Sequence, residues 1–203
     1  MSKTPASAVM VRTFEAGDAL LVVDVQRDFL PGGALAVPHG DAVVPVLNRY
    51  IALAEKSGIP VFASRDWHPE NHCSFRTRGG RWPPHCVAET DGARFAPGLQ
   101  VSPDIVVVSK GTDQDAEAYS AFSGTNLAAT LKSRGVRRLW IGGLATDYCV
   151  LETVLSARCA GFDVFLLQDA TRAVDVNSGD GATAVARMIA AGVVPVDDSQ
   201  IAQ

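Results

Sequence analysis

Six short apolar runs, separated by segments with helical spacing, constrain the fold of this chain most strongly. The runs are apolar throughout rather than alternating with polar residues, which is typical of strands buried on both faces of a parallel sheet. They cover residues 19–25, 60–64, 104–109, 138–143, 163–168 and 193–196. The predicted helices each end on a glycine, and cover residues 40–58, 125–135, 148–161 and 179–192. This alternation predicts a single doubly wound α/β domain, with about six mostly parallel strands and helices on both faces.

Length and composition limit the class of protein. The chain of 203 residues is long enough for one domain over 1–203, in which residues 1–17 form a loose N-terminal leader. A net charge of −4 does not favour a nucleic acid or a membrane surface as partner. Because the chain has no secretion signal, no apolar run of about 20 residues and no CxxC pair, we expect a cytoplasmic protein with reduced thiols.

Reactive side chains stand at the ends of four predicted strands. Asp24 ends the first strand, Asp66 and His68 follow the second, Lys110 ends the third and Cys149 follows the fourth. Each of these has an ordinary explanation alone, such as a solvated strand end, a surface lysine or a buried inert thiol. Ligands of open α/β sheets bind beyond the carboxyl ends of the strands. The agreement of four strand ends therefore favours a catalytic site.

Cys149 lies where a strand gives way to a helix. Gly142 and Gly143 before it allow the backbone to approach closely, and Thr146 or Asp147 is expected to cap the helix. The N-terminus of a helix stabilises negative charge, so it favours the thiolate form of a cysteine placed there. The backbone N–H groups at such a turn can also bind an oxyanion. Cys159, late in the same helix, is expected to serve packing.

Three of the four histidines fall in a long segment, residues 65–103, that is rich in Pro, Gly and Trp. They are His68, His72 and His85. Asp66 and His68 are two residues apart, so both side chains face the same way in an extended segment. Imidazole and carboxylate groups suit Zn²⁺, Fe²⁺ or Mn²⁺. A polar loop with hydrogen-bonded histidines is the alternative.

Five segments of the chain resemble the nicotinamidase branch of the isochorismatase-like cysteine hydrolase superfamily. They are VVDVQRDFLPGGALAV, SRDWHPENHCSF, WPPHCV, VVSKG…AYSAFSG and GGLATDYCV, and they occur in the same order and with compatible spacing between about residues 19 and 196. The resemblance implies a catalytic triad of Asp24, Lys110 and Cys149. It implies metal ligands at Asp66, His68 and His85, with His72 at a position that is a fourth ligand in some members.

The resemblance also implies how a substrate is held. Phe29 and Trp82 match aromatic residues that sandwich a pyridine ring. Leu144–Ala145 matches a cis peptide of the family, and the N–H groups of Ala145 and Cys149 match its oxyanion hole.

The activity implied by the resemblance is hydrolysis of nicotinamide, and also of pyrazinamide, to the acid and ammonia through a thioester on Cys149. The small-molecule partner would be a pyridine carboxamide. The cofactor would be one divalent metal ion per chain, zinc first, with iron or manganese as alternatives. Members of the family range from monomers to larger assemblies, so a homo-oligomer is compatible with the resemblance.

Three other functions remain open from the sequence. A related amidohydrolase acting on another small amide or on a ureido compound would keep the triad but lack the metal ligands. In a metallohydrolase, metal-bound water would attack and Cys149 would be passive. A binding protein could keep the fold without catalysis.

Overall fold

The computed structural model describes residues 12–201. They contain one six-stranded sheet, in which each strand runs parallel to its neighbours. The strand order is β3-β2-β1-β4-β5-β6, so the order reverses between β1 and β4, where doubly wound folds bind their ligands. The strands are β1 Asp18–Val23, β2 Val61–Asp66, β3 Val106–Lys110, β4 Arg138–Leu144, β5 Asp163–Arg172 and β6 Val194–Val196. All six predicted strands are confirmed.

Four α-helices cover the two faces of the sheet, as the sequence predicts. They are α1 Val43–Lys56, α2 Leu127–Ser133, α3 Leu151–Cys159 and α4 Asp180–Ala190. Helix α1 packs on one face, and α2, α3 and α4 pack on the other. No helix within residues 12–201 has the length and apolarity to cross a membrane.

Strand β1 shows why the apolar runs do not alternate. Leu20 and Val22 pack on the α1 side of the sheet, whereas Leu21 and Val23 pack on the other side. Both sets are buried, so every position along the strand is apolar.

Element boundaries differ from the prediction by up to four residues, and two of the larger differences have a structural origin. Gly40–Ala42 forms a 3₁₀ turn, so α1 begins only at Val43. Strand β5 continues to Arg172 instead of ending at residue 168, because its register against β4 shifts between Ile141 and Gly143. Hydrophobic spacing contains no signal for either event.

The prediction of a loose leader is wrong for residues 12–17. The Arg12 N–H donates to the Gln200 carbonyl at 2.7 Å, and the Phe14 ring packs with its centroid 4.7 Å from that of Trp140. Residues 1–11 of the predicted leader lie outside the described residues, as do residues 202 and 203.

The segment between β2 and β3 lies over the carboxyl edge of the sheet. Isolated β-bridges hold this segment in place. Two lie within it and pair His68 with Val87 and Phe75 with Trp82, and a third pairs Phe95 with Gln26 in the loop after β1. These bridges fix histidines and a tryptophan beside the ends of β1 and β2.

Candidate active site

The ends of three strands bring Asp24, Asp66 and Lys110 into contact. Asp66 and Lys110 are register partners on β2 and β3, and Asp24 directly follows β1 with φ +48°. All three are buried. The Lys110 ammonium nitrogen Nζ lies 2.9 Å from Asp24 Oδ2 and 2.5 Å from Asp66 Oδ1. The parallel register therefore builds a buried carboxylate–ammonium–carboxylate cluster.

Cys149 joins this cluster from the loop after β4. Its Sγ lies 3.5 Å from Lys110 Nζ. Strand β4 runs against β1 so closely that a Cβ on Gly143 would overlap the Val23 backbone, and the φ of Gly143 is +132°. Glycine at this position thus allows the approach that carries Cys149 to Asp24.

The predicted helix cap at Cys149 is wrong. Residues Thr146–Val150 form a π-helical turn ahead of α3, and no side chain caps it. The Thr146 hydroxyl instead pairs with that of Thr171 at 2.7 Å. The Asp147 carboxylate accepts the Val174 and Asp175 N–H groups, each at 2.9 Å. Both side chains bind the end of β5 and the loop after it, partners that are distant in sequence.

Burial controls the protonation of the cluster. It raises the pKa of Cys149 well above its ordinary value, although Lys110 acts to lower it. Burial likewise raises the pKa of Asp24 against the opposing effect of Lys110. Burial opposes the charge of Lys110, but Asp24 and Asp66 raise its pKa well above the ordinary value. Cys149 therefore rests as a thiol, and its nucleophilic form requires a base.

The three predicted metal ligands lie together. Single donor atoms of Asp66, His68 and His85 are all within 4.8 Å of one another, and all three residues are buried. His68 Nδ1 lies 2.9 Å from the Gly111 carbonyl, and His85 Nδ1 lies 2.8 Å from the Pro83 carbonyl. Each Nδ1–H donates a hydrogen bond to a carbonyl oxygen, so the Nε2 lone pair of each ring is the one that can bind a metal. The donor set therefore fits a divalent ion.

Charge in the metal-ligand set also suits a cation. Although burial opposes its ionisation, Lys110 and His68 hold the pKa of Asp66 below its ordinary value. Burial lowers the pKa of His85 and keeps its imidazole neutral. Burial opposes the charge of His68, but Asp66 raises its pKa above the ordinary value. A metal would displace the proton of His68, because a carboxylate and a neutral imidazole are the forms that bind metals.

His72 lies beside this set without joining it. Its ring stacks on His68 with the centroids 4.1 Å apart. Both of its ring nitrogens have protein partners, with Nδ1 2.7 Å from Ser74 Oγ and Nε2 3.1 Å from the Ala116 carbonyl. In this arrangement His72 buttresses the His68 ring.

A pocket opens onto Cys149 and the metal-ligand set. Its enclosed volume is ≈ 30 Å³, and its space measures ≈ 390 Å³ when the open solvent at the mouth is included. Phe29, Trp82 and Ala145 all line it, and the Leu144–Ala145 peptide is cis, as the resemblance implies. The Trp82 indole N–H donates to the Tyr119 hydroxyl at 2.9 Å, which fixes the ring.

Sequence reasoning missed part of this site. It did not identify five further lining residues, which are Leu35, Val37, Tyr119, Tyr148 and Val174. It also missed Ser64, whose hydroxyl donates to Asp24 Oδ1 at 2.7 Å. Ser64 and Tyr119 lie inside or beside the matched segments, which is the signal that was available.

The remaining cysteines are free thiols outside the cluster. Cys159, which was expected to serve packing, is exposed, because the buried face of α3 is formed by Leu151, Val154 and Ala157. Cys73 is half-buried and Cys86 is buried.

The doubly wound sheet, with a thiol and a carboxylate buried at its topological switch point and an ammonium beside them, defines an α/β enzyme of the hydrolase class. The chain belongs to the isochorismatase family, because residues 18–200 match the model of the Isochorismatase domain.

Three relatives place the chain within that family. A nicotinamidase of Escherichia coli (strain K12) is 40% identical over 195 residues, which are 86% of this chain and 92% of the relative. The structure of a pyrazinamidase of Pyrococcus horikoshii in complex with zinc is 49% identical with a TM-score of 0.86, and covers 89% of this chain and 99% of that one. The structure of PnC1 from L. infantum in complex with nicotinate is 40% identical with a TM-score of 0.86, and covers 95% of this chain and 99% of that one.

Proposed function

We propose that this protein is a nicotinamidase, which hydrolyses nicotinamide to nicotinic acid and ammonia through a thioester on Cys149. Pyrazinamide is its second proposed substrate. The observation that carries the proposal is the position of the Cys149 thiol: it borders a pocket lined by aromatic residues and lies beside both a buried base and a metal-ligand set. The relatives named nicotinamidase and pyrazinamidase support this choice of substrate.

Asp24 and Lys110 would manage the proton of the nucleophile. Asp24 takes the thiol proton of Cys149, and the sulfur attacks the carboxamide carbon. Asp24 then returns the proton to the departing ammonia, and water hydrolyses the thioester. Lys110, paired with Asp24 at 2.9 Å, favours the ionised carboxylate in surroundings that would otherwise protonate it.

The pocket would position the substrate. Phe29 and Trp82 are proposed to hold the pyridine ring between them. The backbone N–H groups of Ala145 and Cys149 are proposed to stabilise the oxyanion. The Asp66, His68 and His85 set would hold a divalent ion, zinc first, which supplies Lewis-acid coordination for the pyridine nitrogen.

We place the reaction in the cytoplasm. All four cysteines are free thiols, which is usual in a reducing compartment.

The decisive experiment is ammonia release from nicotinamide before and after iodoacetamide treatment, with the metal content measured on the same sample. We expect turnover that alkylation abolishes, and about one metal ion per chain. Cys149→Ala should lose turnover by roughly 10⁴-fold or more. The matched control is Cys73→Ser/Cys159→Ser, which removes the two accessible thiols and should remain active and sensitive to alkylation.

Two results would contradict the proposal. Turnover by Cys149→Ala would favour the metallohydrolase mechanism. An enzyme that ignores nicotinamide but hydrolyses a carbamoyl or ureido compound would favour the related amidohydrolase.

A further inference from the structure

Four electron-pair-bearing atoms, three oxygens and one sulfur, surround the Lys110 ammonium; this set is called the cage below. Nζ is 2.9 Å from Asp24 Oδ2, 2.5 Å from Asp66 Oδ1, 3.0 Å from the Ala118 carbonyl oxygen and 3.5 Å from Cys149 Sγ. All four residues are buried. Two carboxylates, a carbonyl and a sulfur around one buried positive charge form a four-coordinate cation site.

If the ammonium were removed, the oxygen and sulfur atoms of the cage could serve as ligands of a metal ion. Single ligand atoms of Asp24, Asp66 and Cys149 lie within 4.8 Å of one another. Asp24 Oδ2 is completely buried, and its contact with Lys110 is an ion pair outside hydrogen-bond alignment. It is thus a buried acceptor aimed into the cage. Thiolate and carboxylate together select zinc-like cations.

We propose that Lys110 occupies a second, latent metal site formed by Asp24, Asp66 and Cys149, which takes a thiophilic divalent cation such as Zn²⁺ or Cd²⁺ when the ammonium is removed. Asp66 is shared with the neighbouring histidine set. Its Oδ1 faces Lys110, and its Oδ2 lies 3.6 Å from His68 Nε2.

The exchange conserves charge. With Lys110 present, two carboxylates, one ammonium and a neutral thiol sum to a net charge of −1. With a divalent cation, the two carboxylates and a thiolate again sum to −1, and the thiol proton is released to solvent. The buried site therefore accepts the metal without any gain in net charge. Zinc–ligand distances of about 2.0–2.3 Å require the side chains to close inward by roughly 1 Å.

This gives Lys110 a role separate from its effect on Asp24. The nucleophile lies next to a metal-ligand set, and a thiolate binds zinc strongly. Lys110 keeps metal from the sulfur while the histidines remain available. The inference rests on the cage and does not depend on which amide is hydrolysed.

The test compares metal binding by the wild-type protein and Lys110→Ala after equilibration with Cd²⁺. We expect Lys110→Ala to bind one more Cd²⁺ per chain than the wild-type protein, and to gain a cadmium–thiolate absorption band in the ultraviolet. The matched control, Lys110→Ala/Cys149→Ser, should lose both the extra ion and the band. Equal stoichiometry in the wild-type protein and Lys110→Ala would overturn the proposal, as would an extra ion that survives in the control.

Folding of the variant gives a second measurement. Lys110→Ala leaves two buried carboxylates without a cation, so its Tm should be low in chelator and should rise with Cd²⁺ by more than the wild-type Tm does. Lys110→Ser repeats the test with a small polar side chain. Failure of both variants to fold in Cd²⁺ would also overturn the proposal, because a bound metal should replace the lost charge. Neither measurement uses nicotinamide, so its result is independent of the proposed activity.

Discussion

At the scale of residues, Ser64 and Gln26 hold the two buried aspartates, Asp24 and Asp66, in place. Ser64 donates its hydroxyl to Asp24. The Gln26 amide donates to the Asp66 and Ala93 carbonyls, and its oxygen accepts the Asp66 N–H at 2.7 Å. Ser64 thus holds the Asp24 carboxylate, and Gln26 holds the Asp66 main chain at the end of β2, without adding charge to the site.

Removing the Ser64 hydroxyl should shift the acid limb of the activity profile. The hydroxyl stabilises the ionised form of Asp24 and so lowers its pKa, which burial has raised. In Ser64→Ala the pKa rises further, so Asp24 becomes protonated at a higher pH and can no longer accept the thiol proton. We expect kcat/KM on the acid limb to fall about tenfold, the value of one hydrogen bond to a charged group, with the plateau at higher pH little changed. The measurement is the pH dependence of kcat/KM.

Ser109→Ala is the matched control for this prediction. Ser109 lies on the neighbouring strand, and its hydroxyl accepts from Arg65 rather than binding Asp24. The acid limb of the kcat/KM profile of Ser109→Ala should stay at the wild-type pH. A Ser64→Ala profile that is uniformly lower at every pH would show that Ser64 does not act through the ionisation of Asp24.

At the scale of elements, the strands were predictable and the turns were not. The apolar runs of β1 and β4 identify strands because both of their faces are buried. The same reasoning places Asp24, Lys110 and Cys149 together, since parallel strands end at one edge. The π-helical turn at Thr146–Val150 depends on hydrogen bonds to Thr171 and Val174, which no local pattern contains.

The pocket walls depended more on family resemblance than on physical pattern. Phe29 and Trp82 were assigned by resemblance alone, because a loop aromatic carries no periodic signal. Tyr148 and Val174 reach the pocket from the π-helical turn and the segment after β5, and only the folded chain brings them together.

The end of β3 should control metal binding through Gly111. A Cβ at Gly111 would overlap the His68 ring, and its φ is +63°. Gly111→Ala should displace His68 and weaken metal binding by roughly 10- to 100-fold, as loss of a supporting contact to a ligand does. The measurement is metal affinity by competition with a chelator.

Gly124→Ala is the control for backbone strain. Gly124 has nearly the same φ, +67°, and a Cβ added there would meet no atom within 4 Å. It should lose a similar amount of stability and keep its metal affinity. Equal loss of metal in the two variants would assign the effect to strain rather than to His68.

At the scale of the whole molecule, the two apolar cores share the same strands. Leu20 and Leu21 are adjacent in β1, yet they belong to the cores on opposite faces of the sheet. Neither core can form without the sheet that separates them. We therefore propose that residues 12–201 fold as a single domain.

Thermal unfolding should show one cooperative transition that depends on metal. A ligand at 100 times its Kd stabilises the folded state by about 2.7 kcal/mol, and each kcal/mol shifts the Tm of a domain of this size by about 2–4 °C. Chelation should thus lower the Tm by roughly 5–10 °C, and zinc should restore it. The measurement is calorimetry with and without chelator.

His85→Ala, which lacks one proposed ligand, is the control and should show little response to zinc. Two separate transitions would contradict the single domain. A wild-type Tm that is unaffected by chelator and zinc would contradict the metal-ligand assignment.

The strand order also divides the sheet along one seam. Strands β3, β2 and β1 come from the first part of the chain, β4, β5 and β6 come from the second, and they meet only where β1 pairs with β4. Asp24 and Lys110 lie before Gly135, at the turn that follows α2, and Cys149 lies after it. A chain severed at that turn would serve as a two-part reporter. Neither fragment carries both Cys149 and its proposed base Asp24, so amide hydrolysis would signal that two fused proteins have met.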